Sequence, residues 1–301
     1  MQQSGNLEKK IASGDFVITA EFLPTAGTDG KAVEAAAEFF KKGVTAVNVA
    51  DNPHGPVMSS LAGAVIMARA GIEPVYQIVT RDRNRIAIQS DILGAAALGI
   101  NNILCLSGHH QALTGSPEAA NVYDIDSIQL IAAAAKMREA GELLDGTRIS
   151  GPLAMLIGAV AHPDLKPMEL NVLRLAKKVE AGARFVQTQA VFDAEALAQW
   201  MKAVGSRGIT AKAAVLAGVL PLRSAGEAET LRAKYTDILI PDAVVDRLKA
   251  AGDAAAQSKE GLAICLETIK KIRSIEGLSG IHILSGGREE VVPELILAAG
   301  L

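Results

Sequence analysis

Six times along this chain a helix-like segment ends at a glycine and a short apolar run follows: "KKGVTAVNVA", "ARAGIEPVYQIV", "AALGINNILCLS", "VEAGARFVQTQAV", "SRGITAKAAVLAGVL" and "GLSGIHILSGG". Gly43, Gly71, Gly99, Gly182, Gly208 and Gly280 fit the position just past a helix, where left-handed backbone is free of strain only for glycine. The runs after them are mostly apolar on both sides of the pleat, as in strands buried on both faces. Two more runs, "FVITAEF" at 16–22 and "LAMLIGAV" at 153–160, bring the number of strands to eight. Between them lie Ala- and Leu-rich segments that predict helices at 31–42, 57–70, 84–98, 125–140, 167–181, 194–204 and 259–275. A short extra helix is expected at 241–250, in a longer seventh connection, and a last one at 289–299.

Eight alternating strand–helix units predict one α/β domain over 1–301, a single (β/α)8 barrel of the TIM type. A doubly wound open sheet is the rival. It would carry a glycine-rich first turn, and "LPTAGTDG" after the first strand has no G-x-G-x-x-G. The net charge of −3 argues against a nucleic-acid partner. Cys105 and Cys265 stand far apart, with no metal-ligand spacing, so no metal site and no disulfide framework are expected. The first residues have no apolar signal core, and "LAGAVIMARAG" meets Arg69 before reaching spanning length. A soluble cytoplasmic protein with no membrane contact is the expectation.

In such a barrel the C-terminal ends of the strands form the active-site mouth. Those ends are Glu21, Asp51, Gln77, Ser107-Gly108-His109, Ala161-His162, Gln189, Leu220 and Ser285-Gly286-Gly287. Glu21, among Ile18, Phe22 and Leu23, would be partly desolvated; its pKa would rise and suit a proton donor, unless it is a solvated acid or an ion-pair partner. Arg174, Lys177 and Lys178 fall at helical spacing on one face and suit a diphosphate, although a solvated basic stripe reads the same way. Gln189 presents an amide for a pterin or nicotinamide edge, or for a neighbouring loop. His162 precedes Pro163, and the pair could simply end its strand. The two glycines after the eighth strand would let the backbone approach an anion.

Four stretches together, "FVITAEFLP", "QIVTRDRNRIAIQSDILGAAALGINNILCLSG", "AHPDLKPMELNVLRLAKKVEAGARFVQTQAVFD" and "AGVLPL", resemble the methylenetetrahydrofolate reductase family, closest to its short, barrel-only forms. The resemblance implies a flavin barrel, with FAD or else FMN. It would carry hydride from NADH or another reduced donor to 5,10-methylenetetrahydrofolate, giving 5-methyltetrahydrofolate for methionine biosynthesis. Glu21 occupies the family's acid position, and Gln189 matches the glutamine that contacts folate and nicotinamide in turn. Lys177 and Lys178 match a basic pair at the flavin phosphates, to which helical spacing adds Arg174. Gln77, Ser107, Gly108, His109 and His162 fall on the cofactor-binding strand ends, and Leu220 with Pro221 on the loop flanking the flavin's open face.

One departure stands out. Where the family's fourth strand ends Gly-Asp, serving flavin and pterin, this chain has Gly108-His109. Protonated, His109 would stabilise an anionic reduced flavin; neutral, it would leave one acceptor for the pterin. Asp51 is the candidate replacement carboxylate. His110 is expected to point away or to start the next loop. Two other readings compete. One is a folate-binding subunit that needs a partner redox or zinc-containing chain; the other is a flavin-free folate protein. A homo-oligomer or a hetero-complex is expected.

Overall fold

The computed structural model describes residues 5–301. Its strands are β1 (Val17–Phe22), β2 (Ala46–Val49), β3 (Pro74–Val79), β4 (Asn102–Leu106), β5 (Leu156–Ala161), β6 (Phe185–Ala190), β7 (Ala214–Val219) and β8 (Leu278–Leu284). All pair in parallel with their sequence neighbours, and β8 pairs back on β1, so the sheet closes into a barrel. Helices α2 (Gly30–Phe40), α3 (Ser60–Arg69), α4 (Arg85–Ala97), α5 (Ser127–Glu139), α6 (Met168–Glu180) and α7 (Ala194–Ser206) connect them, one per crossover. The crossover after β7 holds three helices: α8 (Ala225–Lys234), α9 (Asp242–Ala250) and α10 (Ala254–Ile272). Two more, α1 (Asn6–Ser13) and α11 (Val291–Ala299), flank the barrel. Asn84, Asp126 and Asp193 cap α4, α5 and α7 by accepting first-turn N–H groups.

Alternation along each strand sorts the residues into two cores. Ile18, Ala20, Val47, Tyr76, Ile78, Ile103 and Cys105 face outward and pack with the helices. Val17, Ala46, Val75, Leu104, Leu156, Phe185, Ala214 and Leu216 face inward and fill the lower barrel. Helix α1, not foreseen in the sequence, plugs that end: Leu7 is fully buried in the inner cluster. Glu73, just before β3, holds α1 by accepting the N–H groups of Asn6 and Leu7 at its N-terminus.

Two small residues make room in the interior. A Cβ on Gly158 would lie 2.2 Å from the Phe185 ring, and one on Gly280 would lie 2.0 Å from the Val17 carbonyl oxygen. Gly280 therefore does not end a helix. It lies within β8, and Gly277, at φ +84°, takes the left-handed position. Helix α8 was also missed. Only Ala225 and Ala228 of it are buried, so no apolar stripe marks it. Its signal was Ser224, whose side chain accepts from Glu227 N–H three residues on.

Candidate active site

Above the apolar plug the barrel interior turns polar. Thr19 of β1, Asn48 of β2, Gln187 of β6 and His282 of β8 are all buried. The Gln187 amide donates to Asn48 Oδ1 and Thr19 Oγ1, at 3.0 Å each, and accepts from Asn48 Nδ2 at 2.7 Å. His282 Nδ1 lies 2.9 Å from Thr19 Oγ1, and burial pulls its pKa down to about 3, so this imidazole is neutral. The layer is internally satisfied, which keeps its burial from being costly.

Glu21 stands two residues beyond Thr19 on β1, one layer nearer the mouth, and is half-buried. Gln77 Nε2, from β3, donates to Glu21 Oε1 at 3.1 Å. Burial pushes the Glu21 carboxyl up to about 7, and the bond from Gln77 offsets only part of that. The desolvation expected of Glu21 is therefore present, and the amide of Gln77 holds its carboxyl in place. Ser285, at the end of β8, donates to the Glu21 carbonyl oxygen at 3.0 Å and so ties the two strand ends together.

Asp51 does not take the role expected of it. Its oxygens accept from Arg83 Nη1 at 2.6 Å and Nη2 at 3.1 Å, and from Val79 N–H at 3.0 Å. The side chain has 0% exposure, so it offers no carboxylate to a ligand. Arg83 also reaches Asp91 at 3.1 Å, which makes the group an internal brace between β2, β3 and α4.

The end of β4 is shaped by Gly108. Its φ of +80° favours glycine, and a Cβ there would meet Arg81 and Val79 at 3.2–3.3 Å. His109 follows with its ring partly exposed, 5.0 Å from the Tyr235 ring. His110 turns away and caps a short 3-10 turn through Ala112 N–H. The carboxylate beside His109 comes from an unforeseen place, the connection between α8 and α9. Asp237 Oδ2 lies 2.9 Å from His162 Nδ1 and 3.8 Å from His109 Nε2. Burial works against the Asp237 carboxylate, but the two histidines outweigh it and hold its pKa well below the usual range.

Beside this cluster a cavity of about 450 Å³ opens between the ends of β4 and β5, the first turn of α5 and one face of α6. Ser107, Asp126, His162, Asn171, Arg174 and Lys178 are among its lining residues. Lys178 Nζ donates to the Val160 carbonyl at 2.7 Å, and burial pulls its pKa down to about 8. Lys177 is exposed and does not line this cavity, because it points about 100° round the helix from Lys178. The cations lining the cavity are Lys166, Arg174 and Lys178, and Lys177, expected beside Lys178, lies outside it.

Gln189 lies within an irregularity in the β6–β7 register, where Thr188 Oγ1 accepts Gly218 N–H at 2.8 Å, and is partly exposed. Leu220 sits past β7, with its Cδ1 3.7 Å from where a Cβ of Gly286 would lie. Gly286 and Gly287 both have positive φ. Sequence reasoning missed the Thr19–Asn48–Gln187–His282 layer, Asp237 and Tyr235. Among the described residues no group of three or more His, Cys, Asp or Glu is placed to hold a metal, and no helix is long and apolar enough to cross a membrane.

Three comparisons bear on this arrangement. The family model described as methylenetetrahydrofolate reductase matches residues 6–300. A Caenorhabditis elegans protein named probable methylenetetrahydrofolate reductase (NADPH) is 24% identical over 81% of this chain and 34% of its own length. The 5,10-methylenetetrahydrofolate reductase of Salmonella typhimurium is 25% identical over 75% of this chain and 70% of its own. The chain thus spans about a third of the nematode relative and about two thirds of the bacterial one. Among solved structures, a Clostridium thermocellum protein that binds two copies of 5-methyl-5,6,7,8-tetrahydrofolic acid superposes with a TM-score of 0.67. That match covers 98% of both chains at 15% identity, which is likeness of fold. With the family model matched from end to end of the described barrel, this chain belongs to the methylenetetrahydrofolate reductase family.

Proposed function

We propose that this chain is a flavin-dependent methylenetetrahydrofolate reductase. The observation that carries the reading is Glu21: a carboxyl at the barrel mouth, poised near neutrality by burial and oriented by Gln77. Reducing 5,10-methylenetetrahydrofolate requires its five-membered ring to open to an iminium ion. One carbon–nitrogen bond breaks, and the departing nitrogen must take a proton. An acid with a pKa of about 7 holds that proton at neutral pH and gives it up readily.

The cavity at α6 fits the charged part of a flavin dinucleotide. Its donor set of Arg174, Lys178 and Ser107 suits phosphate oxygens and hydroxyls, and its volume lies in the usual range for a bound cofactor. With FAD held there, the chemistry supplied is hydride delivery to the iminium carbon, replenished by NADH or another reduced donor. Gln189 and Leu220, at the ends of β6 and β7, are assigned to folate contact, and His109 and His162 to the flavin side of the mouth. The C. thermocellum protein's binding of a methylated tetrahydrofolate supports the substrate class.

The test is direct. The purified chain should release one flavin on denaturation. Reductant should bleach its visible absorbance, and methylenetetrahydrofolate should restore it. Protein that contains no flavin and takes up none added as FAD or FMN would defeat the proposal. NADH oxidation by the isolated chain separates a self-sufficient enzyme from a folate-binding subunit that depends on a partner.

A further inference from the structure

In a closed ring of eight strands, β7 stands opposite β3. The chain that leaves β7 nonetheless touches the connections on either side of β3. The hydroxyl of Tyr235, at the end of α8, lies 3.2 Å from His54 Nδ1, in the connection after β2. Its ring centroid is 5.0 Å from that of His109, just past β4. Those two connections also meet each other, because Gly115 N–H donates to the His54 carbonyl at 2.7 Å. Helix α8 has ten residues and so runs about 15 Å, which carries Tyr235 from the β7 side to the far side of the mouth.

This stretch is a flap and not part of the wall. Its two roots, Ala228 and Ile240, are buried in a satellite apolar cluster with Leu222, Val244 and Leu248, apart from the barrel core. Between the roots only Tyr235 is buried, at 9% exposure. No residue of α8 beyond Ala228 is buried. The tip is therefore held by what Tyr235 touches. Two ties follow it: the Asp237 carboxylate lies between His109 and His162, and Leu239 N–H donates to Asp164. A segment that buries so little opens at low cost compared with the barrel beneath it. Under the flap lie Glu21 of β1 and Gln77 of β3, whose side chains meet inside the ring.

We propose that residues 229–239 form a gate over the mouth, closed by a latch between Tyr235 and His54, and that a ligand with a broad planar ring reaches Glu21 only when the latch opens. The identity of that ring rests on the proposed flavin and folate chemistry. The latch does not, and it can be read on the ligand-free chain.

Amide hydrogen exchange tests the latch. The Tyr235 and Leu239 amides are both hydrogen-bonded and should be protected in the wild type. Y235F, which loses only the hydroxyl, should speed their exchange about fivefold, the worth of one hydrogen bond, with the strand amides unchanged. Wild-type amides exchanging as fast as those of an unfolded chain would overturn the proposal, and so would a Y235F pattern equal to the wild type. FAD uptake tests the gate. In H54C/Y235C the native Cys105 and Cys265 are buried, so a short flexible bismaleimide bridges only the introduced pair. The bridged protein should take up FAD at least about tenfold more slowly than the same variant capped with N-ethylmaleimide. Equal rates would overturn the gate. The expected exchange pattern together with no FAD uptake by the wild type would overturn the flavin reading and leave the latch standing. The same comparison of bridged and capped protein with 5-methyltetrahydrofolate would then decide the gate.

Discussion

Glu21 carries two opposed consequences of one environment. Burial lifts its pKa from 4.5 to about 7, so between those values the folded chain holds a proton that the unfolded chain has lost. Stability contributed by this residue is full below about pH 4.5 and falls as pH rises through 7. E21Q removes the titration and keeps an acceptor for Gln77. It should match the wild type in urea at pH 4 and exceed it by roughly 2 kcal/mol at pH 8, a figure reduced for the partial exposure of the group. A variant no more stable at pH 8 would refute the desolvated carboxyl. His282 works in the opposite direction. Its pKa is pulled from 6.5 to about 3, so stability is present above 6.5 and is lost as pH falls toward 3. His282→Asn should flatten that acid slope, by up to roughly 4 kcal/mol across the window, whatever its packing cost. An unchanged slope would mean that the ring is charged or solvated. At this scale the desolvation of Glu21 was legible, because the acid lies among the apolar residues Ile18, Phe22 and Leu23. Asn48, Gln187 and His282 were not legible. Asn48 and His282 are lone polar residues in apolar runs, Gln187 is one of three consecutive polar residues in β6, and the partners of each lie on strands distant in sequence.

Among the elements, α6 and the inner face of β5 give the clearest tests. The sequence placed three cations on α6, but only contact with the strand ends could show that Arg174 and Lys178 share the cavity while Lys177 leaves it. K178Q should weaken FAD binding by about tenfold or more, the value of one charge-assisted contact, and K177Q should stay within about twofold. Calorimetric titration that ranks the two variants the other way would move the cofactor to another face. Wild-type affinity should also decline as pH rises through 8, where Lys178 loses its charge. On β5, G158A drives a methyl group to within 2.2 Å of the Phe185 ring. It should lower stability by about 1–3 kcal/mol in chemical denaturation, and F185L should relieve part of that loss. Helix α8 shows why one element escaped the reading. It buries almost no apolar surface, so periodicity had nothing to register, whereas the capping residue Ser224 was present but unread.

For the whole molecule, glycine punctuation and doubly apolar runs sufficed to foresee the closed ring, because a strand buried on both faces needs helices on one side and a filled interior on the other. They did not foresee which carboxylate serves the mouth. Asp51 is spent on Arg83 inside the wall, and Asp237 arrives from an insertion after β7, where no strand pattern could point to it. The mouth therefore divides into two halves, an acid half built on Glu21 and Gln77 and a basic half built on His162, Arg174 and Lys178. The central claim is that the acid half protonates the departing nitrogen of methylenetetrahydrofolate while hydride arrives from the basic half. Single-turnover reoxidation of the reduced flavoprotein by methylenetetrahydrofolate, followed anaerobically in wild type and E21Q, tests it most directly. The account predicts fast recovery of flavin absorbance in the wild type and a loss of about 10²-fold to 10⁴-fold in E21Q with folate binding retained. Reoxidation of E21Q at the wild-type rate would contradict it.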